Sequence, residues 1–154
     1  MAVYTLWGVV SDSHGDRGAL SNIMLMLEYK KVAGVIHLGD GFRDMEPYTS
    51  AFTVHQVCGN CDYACPGDTA SLIRLSGVPI FITHGHRFYV KDDTGLVQTE
   101  AASLGAKAAL FGHTHCQHLS YEGGILLMNP GAASYGRYGL LKVYPEGLVE
   151  GELC

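Results

Sequence analysis

The sequence has no apolar run approaching the ~18 residues of a membrane-crossing helix, and no basic segment ahead of its apolar N-terminus. Residues 1–10 run straight into Asp12, Ser13 and His14 without a small-residue cleavage site, so they read as a first strand rather than a secretory leader. A cytoplasmic location and no membrane partner are expected. Charge is sparse: 16% of residues are Asp, Glu, Lys or Arg, against 47% hydrophobic. That balance excludes a disordered, charge-rich chain and supplies a core. Basic residues are the scarcer sign, 10 Lys and Arg against 15 Asp and Glu, for a formal net charge of -5. A generic electrostatic nucleic-acid binder has the opposite balance, so nucleic acid is expected only as a small nucleotide-derived substrate. Repeats, low-complexity tracts and Ser/Pro-rich linkers are absent, so the 154 residues read as one domain over 1–154.

Cysteines are few and odd in number: Cys58, Cys61, Cys65, Cys116 and Cys154. An odd count without a secretion signal disfavours a disulfide framework. Cys58 and Cys61 form a C-x-x-C pair near Cys65, but a four-ligand zinc site lacks its second pair. Reduced thiols on or near a loop are the expectation.

Glycine and histidine are plentiful, with 20 and 8 copies. Glycines signal tight turns, and histidine is the commonest transition-metal ligand. Apolar runs at 4–10, 35–38, 53–57, 71–75, 79–83, 108–111, 125–128, 139–144 and 148–153 read as strands. A helix is expected over 17–31, capped by Asp16, with Leu20, Ile23, Met24 and Leu27 on one face, and a second over 94–104 with Val97, Ala101 and Leu104 on one face. Alternating β and α units followed by a strand-rich tail give an α/β chain with a mixed sheet or two sheets. Strand edges and the apolar tail leave room for a homo-oligomer.

Five of the apolar segments end in Asp, Asn or His beside glycine: Asp12-Ser13-His14-Gly15, Gly39-Asp40-Gly41, Gly59-Asn60-Cys61-Asp62, His84-Gly85-His86 and Gly112-His113-Thr114-His115. Parallel strands deliver their C-terminal ends to one sheet edge, where α/β ligand sites form. Any one of these pieces is an ordinary turn or a packed histidine; the five together select metal-ligand residue types. Asp12, Asp40, Asn60, His14, His84, His113 and His115 offer hard and borderline O/N donors suited to Mn, Fe, Zn, Co or Ni. Seven donors exceed one tetrahedral site and fit two divalent ions if one carboxylate bridges, an arrangement common in phosphoester cleavage.

The ordered set D-x-H, GD, GN, H-G and G-H-x-H, from Asp12 to His115, resembles the calcineurin-like metallophosphoesterase superfamily. The short length, the GNCD variant and Asn129-Pro130-Gly131 look like its small microbial phosphodiesterase branch, which also includes the metal-poor retromer scaffold subunit. The resemblance implies a four-layer α/β/β/α sandwich of two mixed sheets flanked by helices. It implies two divalent metal ions, manganese first, with Asp12, His14 and His115 on one, Asn60, His84 and His113 on the other, and Asp40 bridging. The implied reaction is in-line attack of a metal-activated hydroxide on a small phosphate ester, most readily a phosphodiester; a phosphomonoesterase or a non-catalytic protein-interaction scaffold of the same fold are the alternatives.

One position departs from the pattern. Many members carry histidine after the GN asparagine to protonate the leaving group, and here Cys61 stands there. His86, two residues past His84, is the nearest replacement, as a catalytic or a positioning group. Asn60 and Asp40 join it as expected catalytic residues. Asn60, His86 and Arg137 are expected to touch substrate. Arg43, just past the GD turn, is either a solvated surface arginine or a contact for a substrate phosphate. Asp62 either orients the site or caps a turn, His37 reads as a packed or supporting histidine, and His55 as an exposed strand residue.

Overall fold

The computed structural model describes residues 3–154; residues 1 and 2 of the predicted first apolar run lie outside the described residues. Its strands are β1 Thr5–Val10, β2 Gly34–His37, β3 Val54–Gln56, β4 Ala70–Leu75, β5 Val78–Thr83, β6 Ala108–Leu110, β7 His118–Glu122, β8 Ile125–Asn129, β9 Gly139–Val143 and β10 Val149–Leu153, with helices α1 Arg17–Tyr29 and α2 Gly95–Ser103. They form two five-stranded sheets, ordered β10-β9-β1-β2-β3 and β4-β5-β6-β8-β7. In the first, β1, β2 and β3 are parallel; in the second, β5, β6 and β8 are parallel. Antiparallel strands complete each sheet, so both are mixed.

The side-chain alternation of the strands builds the layers. Val9 and Ile36 from one sheet and Ile80, Ile82, Leu110 and Met128 from the other meet in the central core. Their neighbours Val10 and Val35 point the opposite way onto Leu20, Ile23, Met24 and Leu27 of α1. Phe81, Ala109 and Leu127 likewise point outward onto Val97 and Ala101 of α2. The order of layers is therefore α/β/β/α.

Helix α1 begins where Asp16 Oδ1 accepts the Ala19 N–H at 3.0 Å, and buries the four residues expected of its face. It ends at Tyr29, two residues before the sequence-based boundary, because the left-handed turn at Lys31 (φ 57°) breaks the helix. On α2, Leu104 lies beyond the last turn and is 40% exposed, so the buried face reduces to Val97 and Ala101. Two further elements carried no sequence signal. Strand β7 is an edge strand with Leu119 and Tyr121 exposed, and a 3-10 segment, Phe42–Tyr48, follows the GD turn. Among the described residues no helix is long and apolar enough to cross a membrane.

The expectation of reduced thiols fails for two of the cysteines. Cys58 and Cys65 form a disulfide, leaving Cys61, Cys116 and Cys154 free. Cys65 folds back over Cys58 because the chain turns sharply through Asn60–Ala64, a closure that no spacing rule specifies. Closing a loop this short is worth about 2.5 kcal/mol in the chain-entropy account. A Cys58→Ser/Cys65→Ser variant is expected to lose about that much in urea titrations, and to be insensitive to added dithiol, whereas the native chain should fall to the variant's stability on reduction. Equal stability with and without reductant in the native chain would show that the bridge contributes nothing.

Candidate metal centre

The loops after β1, β2, β3, β5 and β6 meet at one end of the sandwich. They bring together two triads whose donor atoms lie within 4.8 Å of one another, Asp12–His14–His115 and Asp40–His84–His113; a third group, His14–Asp40–Cys61, overlaps both. Asp12 Oδ1 lies 3.3 Å from His14 Nε2 and 3.2 Å from His115 Nε2. Asp40 Oδ2 lies 3.2 Å from His84 Nε2 and 3.6 Å from His14 Nε2, facing both triads. The His14 and His115 Nε2 atoms approach to 3.2 Å.

Each carboxylate has one oxygen anchored and one turned to the centre. Asp12 Oδ2 accepts from Ser11 Oγ at 2.7 Å and from the His113 N–H at 3.1 Å. Asp40 Oδ1 accepts the Cys61 N–H at 2.8 Å. His84 places Nδ1 2.7 Å from the Leu38 carbonyl; a carbonyl only accepts, so Nδ1 carries the proton and Nε2 presents its lone pair inward. Asp12 and His84 are fully buried, yet Asp12 Oδ1 and His84 Nε2 have no hydrogen-bond partner. Unpartnered buried polar atoms are costly. Their convergence, with imidazole and carboxylate donors and no carbonyl cage, fits divalent transition ions.

The electrostatics agree. Burial works against the ionised Asp40 carboxylate, but His84, 3.2 Å away, then the Cys61 N–H and His14, hold it well below the usual carboxylate range. Burial disfavours protonated His84, and the Asp40 and Asp12 carboxylates override it and raise its pKa. Burial followed by the charge of His84 lowers both His86 and His113. Burial and Asp40 push the Cys61 thiol up.

Backbone strain concentrates here. Asp12, His14, Asp40, His113 and His115 all take left-handed φ values between 45° and 74°. Asp, Asn and His tolerate that region better than most residues, and such strain persists only where the surroundings enforce it. Gly59 is required for contact rather than for its φ, since a Cβ there would collide with the Asp40 Oδ1 and backbone N.

Three polar side chains hold these loops, and sequence reasoning gave none of them a firm role. Asp62 accepts the backbone N–H groups of Asp40 (2.8 Å), Gly41 (2.9 Å), Phe42 (3.1 Å) and Gly59 (2.8 Å), so it orients the site as well as its own turn. Asp44 accepts from Ser13 Oγ and the Gly15 N–H, each at 2.8 Å. Buried Asn129 donates to the Gly112 carbonyl at 3.1 Å and Thr114 Oγ1 at 2.9 Å, fixing the G-H-x-H turn. A polar residue closing an apolar strand, as Asn129 does, was the available signal.

The remaining predicted residues are placed as follows. Asn60 is exposed and its amide donates to Cys61 Sγ at 3.6 Å. The His86 ring centre is 5.5 Å from His84 and 6.1 Å from His113, and its buried Nδ1 is unpartnered. Arg137 is exposed, with its side-chain stem against Gly131 and its N–H on the Ala132 carbonyl at 3.2 Å. His55 is half-buried against Trp7, not exposed, because β3 lies beside β2 and leaves its ring 5.7 Å from the indole.

His37 is wholly buried. It accepts the Gly39 N–H at Nδ1 (3.1 Å) and places Nε2 3.0 Å from Ser13 Oγ. Desolvation, only partly offset by Asp62, Asp12 and Asp44, lowers its pKa from 6.5 to about 4. An unfolded chain binds this proton below pH 6.5 and the folded chain only near pH 4, so stability is intact above 6.5 and falls between 6.5 and 4. The loss amounts to about 3 kcal/mol. Denaturant titrations from pH 7 to 4 should show a shallower decline for His37→Gln than for the native chain; identical slopes would exclude His37 as the group responsible.

The description "Calcineurin-like phosphoesterase superfamily domain" fits residues 6–144 of this chain. The probable metallophosphoesterase YsnB of Bacillus subtilis is 34% identical over 125 residues, 80% of this chain and 72% of YsnB. Among solved structures, a predicted phosphoesterase from Streptococcus pneumoniae superposes with a TM-score of 0.79 at 24% identity, covering 100% of both chains. Vacuolar Protein Sorting 29 from Cryptosporidium parvum also gives 0.79, at 19% identity over 98% of this chain and 97% of its own. The strand-end donors, the layered sheets and the sequence match agree, and the chain belongs to the calcineurin-like phosphoesterase superfamily, whose members act on phosphate esters with divalent metal ions.

Proposed function

We propose that this chain is a dinuclear metal phosphodiesterase acting on a small phosphodiester. The observation that carries the reading is the pair of unpartnered buried atoms, Asp12 Oδ1 and His84 Nε2, set between two triads that Asp40 Oδ2 faces at once. In this reading Asp12, His14 and His115 would hold one ion, Asn60, His84 and His113 the other, and Asp40 would be shared between them. Two divalent ions, manganese foremost, with Ni, Fe, Zn or Co as substitutes, would supply charge neutralisation at the phosphoryl oxygens and acidify a water. Asn60, whose exposed amide lies beside Cys61, would join the second set of donors and also meet a phosphoryl oxygen.

His86 stands at the edge of the cluster with a free Nδ1. Burial and the charges of His84 and Arg87 lower its pKa, which favours the neutral ring as an acceptor of a hydrogen bond from water or substrate. Arg137 meets the substrate from the rim. Cys61, with its thiol pKa raised, is a weak acid; esters with stable leaving groups are therefore favoured. A non-catalytic scaffold would have lost donors, whereas all seven positions are filled. A cytoplasmic location belongs to this reading, and there the Cys58–Cys65 bridge would be subject to reduction.

The test is hydrolysis of bis-p-nitrophenyl phosphate against p-nitrophenyl phosphate with Mn, Ni, Zn and Mg, alongside metal analysis of the protein. Diester cleavage with two ions bound per chain is expected. Faster monoester cleavage would shift the reading to a phosphomonoesterase, and a chain that is inactive and metal-free with every ion would overturn it.

A further inference from the structure

Beside the metal centre lies a cleft of about 290 Å³. Its lining includes His14, Asp40 and Cys61 together with Arg43 and Tyr63. We propose that Arg43 is a specificity-determining residue, holding a second phosphate carried by the substrate beyond the ester bond that is cut. The inference rests on the phosphodiesterase reading and names its substrate class.

The guanidinium is fixed but not neutralised. Arg43 donates from one terminal nitrogen to the Tyr63 carbonyl at 2.8 Å and from the other to the Ala64 carbonyl at 3.0 Å. A guanidinium has five N–H donors, so three remain free. Both partners are peptide carbonyls, which orient the plane and leave the charge intact. Among the described residues, no carboxylate lies within 4.0 Å of it; the ion pairs belong to Arg17 and to the histidines of the centre.

The acids lining the cleft are already engaged. Asp62 accepts four backbone N–H groups. Asp44 accepts Ser13 and Gly15 and lies 3.9 Å from Arg17. Asp40 faces His14 and His84. Arg43 is therefore the cleft's arginine with N–H donors to spare, while the acids have their oxygens turned to other partners. Two hydrogen bonds to backbone carbonyls set the fork in place before substrate arrives, so less ordering cost falls on binding. A planar fork with free N–H groups matches phosphate oxygens, which it takes in a bidentate way.

The experiment compares a dinucleotide bearing a 5′-phosphate with the same dinucleotide lacking it, on the manganese-loaded full chain. The native chain is expected to prefer the phosphorylated substrate roughly tenfold or more in kcat/KM, chiefly through KM. In Arg43→Gln the preference should collapse to about one; Arg43→Lys, which keeps charge without the fork, should retain part of it. Arg74→Gln, an exposed arginine on β4, should leave the preference unchanged, which separates a local contact from general charge. Equal use of both substrates by the native chain, or a preference that survives in Arg43→Gln, would overturn the proposal. If neither dinucleotide is cut, hydrolysis of bis-p-nitrophenyl phosphate decides whether the phosphodiesterase reading fails as well. Equilibrium binding of the same pair to chelator-treated protein then decides Arg43: tighter binding of the phosphorylated molecule, lost in Arg43→Gln, supports the subsite, and equal binding refutes it.

Discussion

Asp40→Ala is expected to lower phosphodiester turnover on the order of 10³-fold or more, corresponding to the several kcal/mol that metal-centred charge stabilisation supplies. It is also expected to reduce the bound metal from two ions per chain to one or none. Asp40 Oδ2 faces His14 and His84, and so both triads, whereas its Oδ1 holds the Cys61 N–H. Every other carboxylate or imidazole of the cluster can be lost from one triad alone. Alanine also leaves the Cys61 N–H without an acceptor, so Asp40→Asn is the sharper variant. Its amide oxygen keeps that bond, while an NH2 that cannot ligate a cation replaces the oxygen facing the centre. Metal analysis and kcat for Asp40→Asn, read with a thermal melt, separate lost ligation from lost folding. Two bound ions and near-native turnover in a well-folded Asp40→Asn would refute the bridging role.

Much of the scaffold around Asp40 is legible in the sequence because it follows from periodicity. The helix face of Leu20, Ile23, Met24 and Leu27 is a 3.6-residue pattern. The buried runs 35–38 and 79–83 lead into Asp40 and His84, each at the end of a parallel strand of its own sheet, and both sheets turn that end to the centre. What was not legible depends on where loops meet. The Cys58–Cys65 bridge, the four N–H groups on Asp62 and the Asp44–Ser13 contact each depend on how the loops after the neighbouring strands β1, β2 and β3 fold over one sheet end, not on spacing along the chain. The edge strand β7 escaped because its exposed Leu119 and Tyr121 carry no buried-face signature. The 3-10 segment escaped because Pro47 and its charges read as loop. At the centre, residue type was visible in advance, but the side-chain direction of Asn60 was not, since it turns on one rotatable exposed amide.

Asp62→Ala is expected to be the most destabilising single change outside the metal donors, and it separates the two roles open to Asp62. One carboxylate oxygen accepts Gly41 and Phe42 and the other accepts Asp40 and Gly59, so truncation leaves four N–H groups without acceptors. At about 1 kcal/mol for each charge-assisted bond after water replaces part of it, the loss is about 4 kcal/mol. For a chain of this size that corresponds to a fall in Tm of roughly 10 °C. Asp62→Asn should lose about half as much, because one side of the amide still accepts two N–H groups while its NH2 confronts the other two. If Asp62 served only its own turn, the metal centre would be indifferent to it. Its bonds, however, reach the backbone of Asp40, which faces both triads, so in Asp62→Asn metal affinity should weaken by roughly 10- to 100-fold, as for other residues that orient ligands. Titration of the folded Asp62→Asn chain with Mn(II), well below its melting temperature, reads that affinity apart from stability. Native affinity in a destabilised chain would confine Asp62 to its turn, whereas weakened affinity would tie the GNCD loop to the geometry of Asp40.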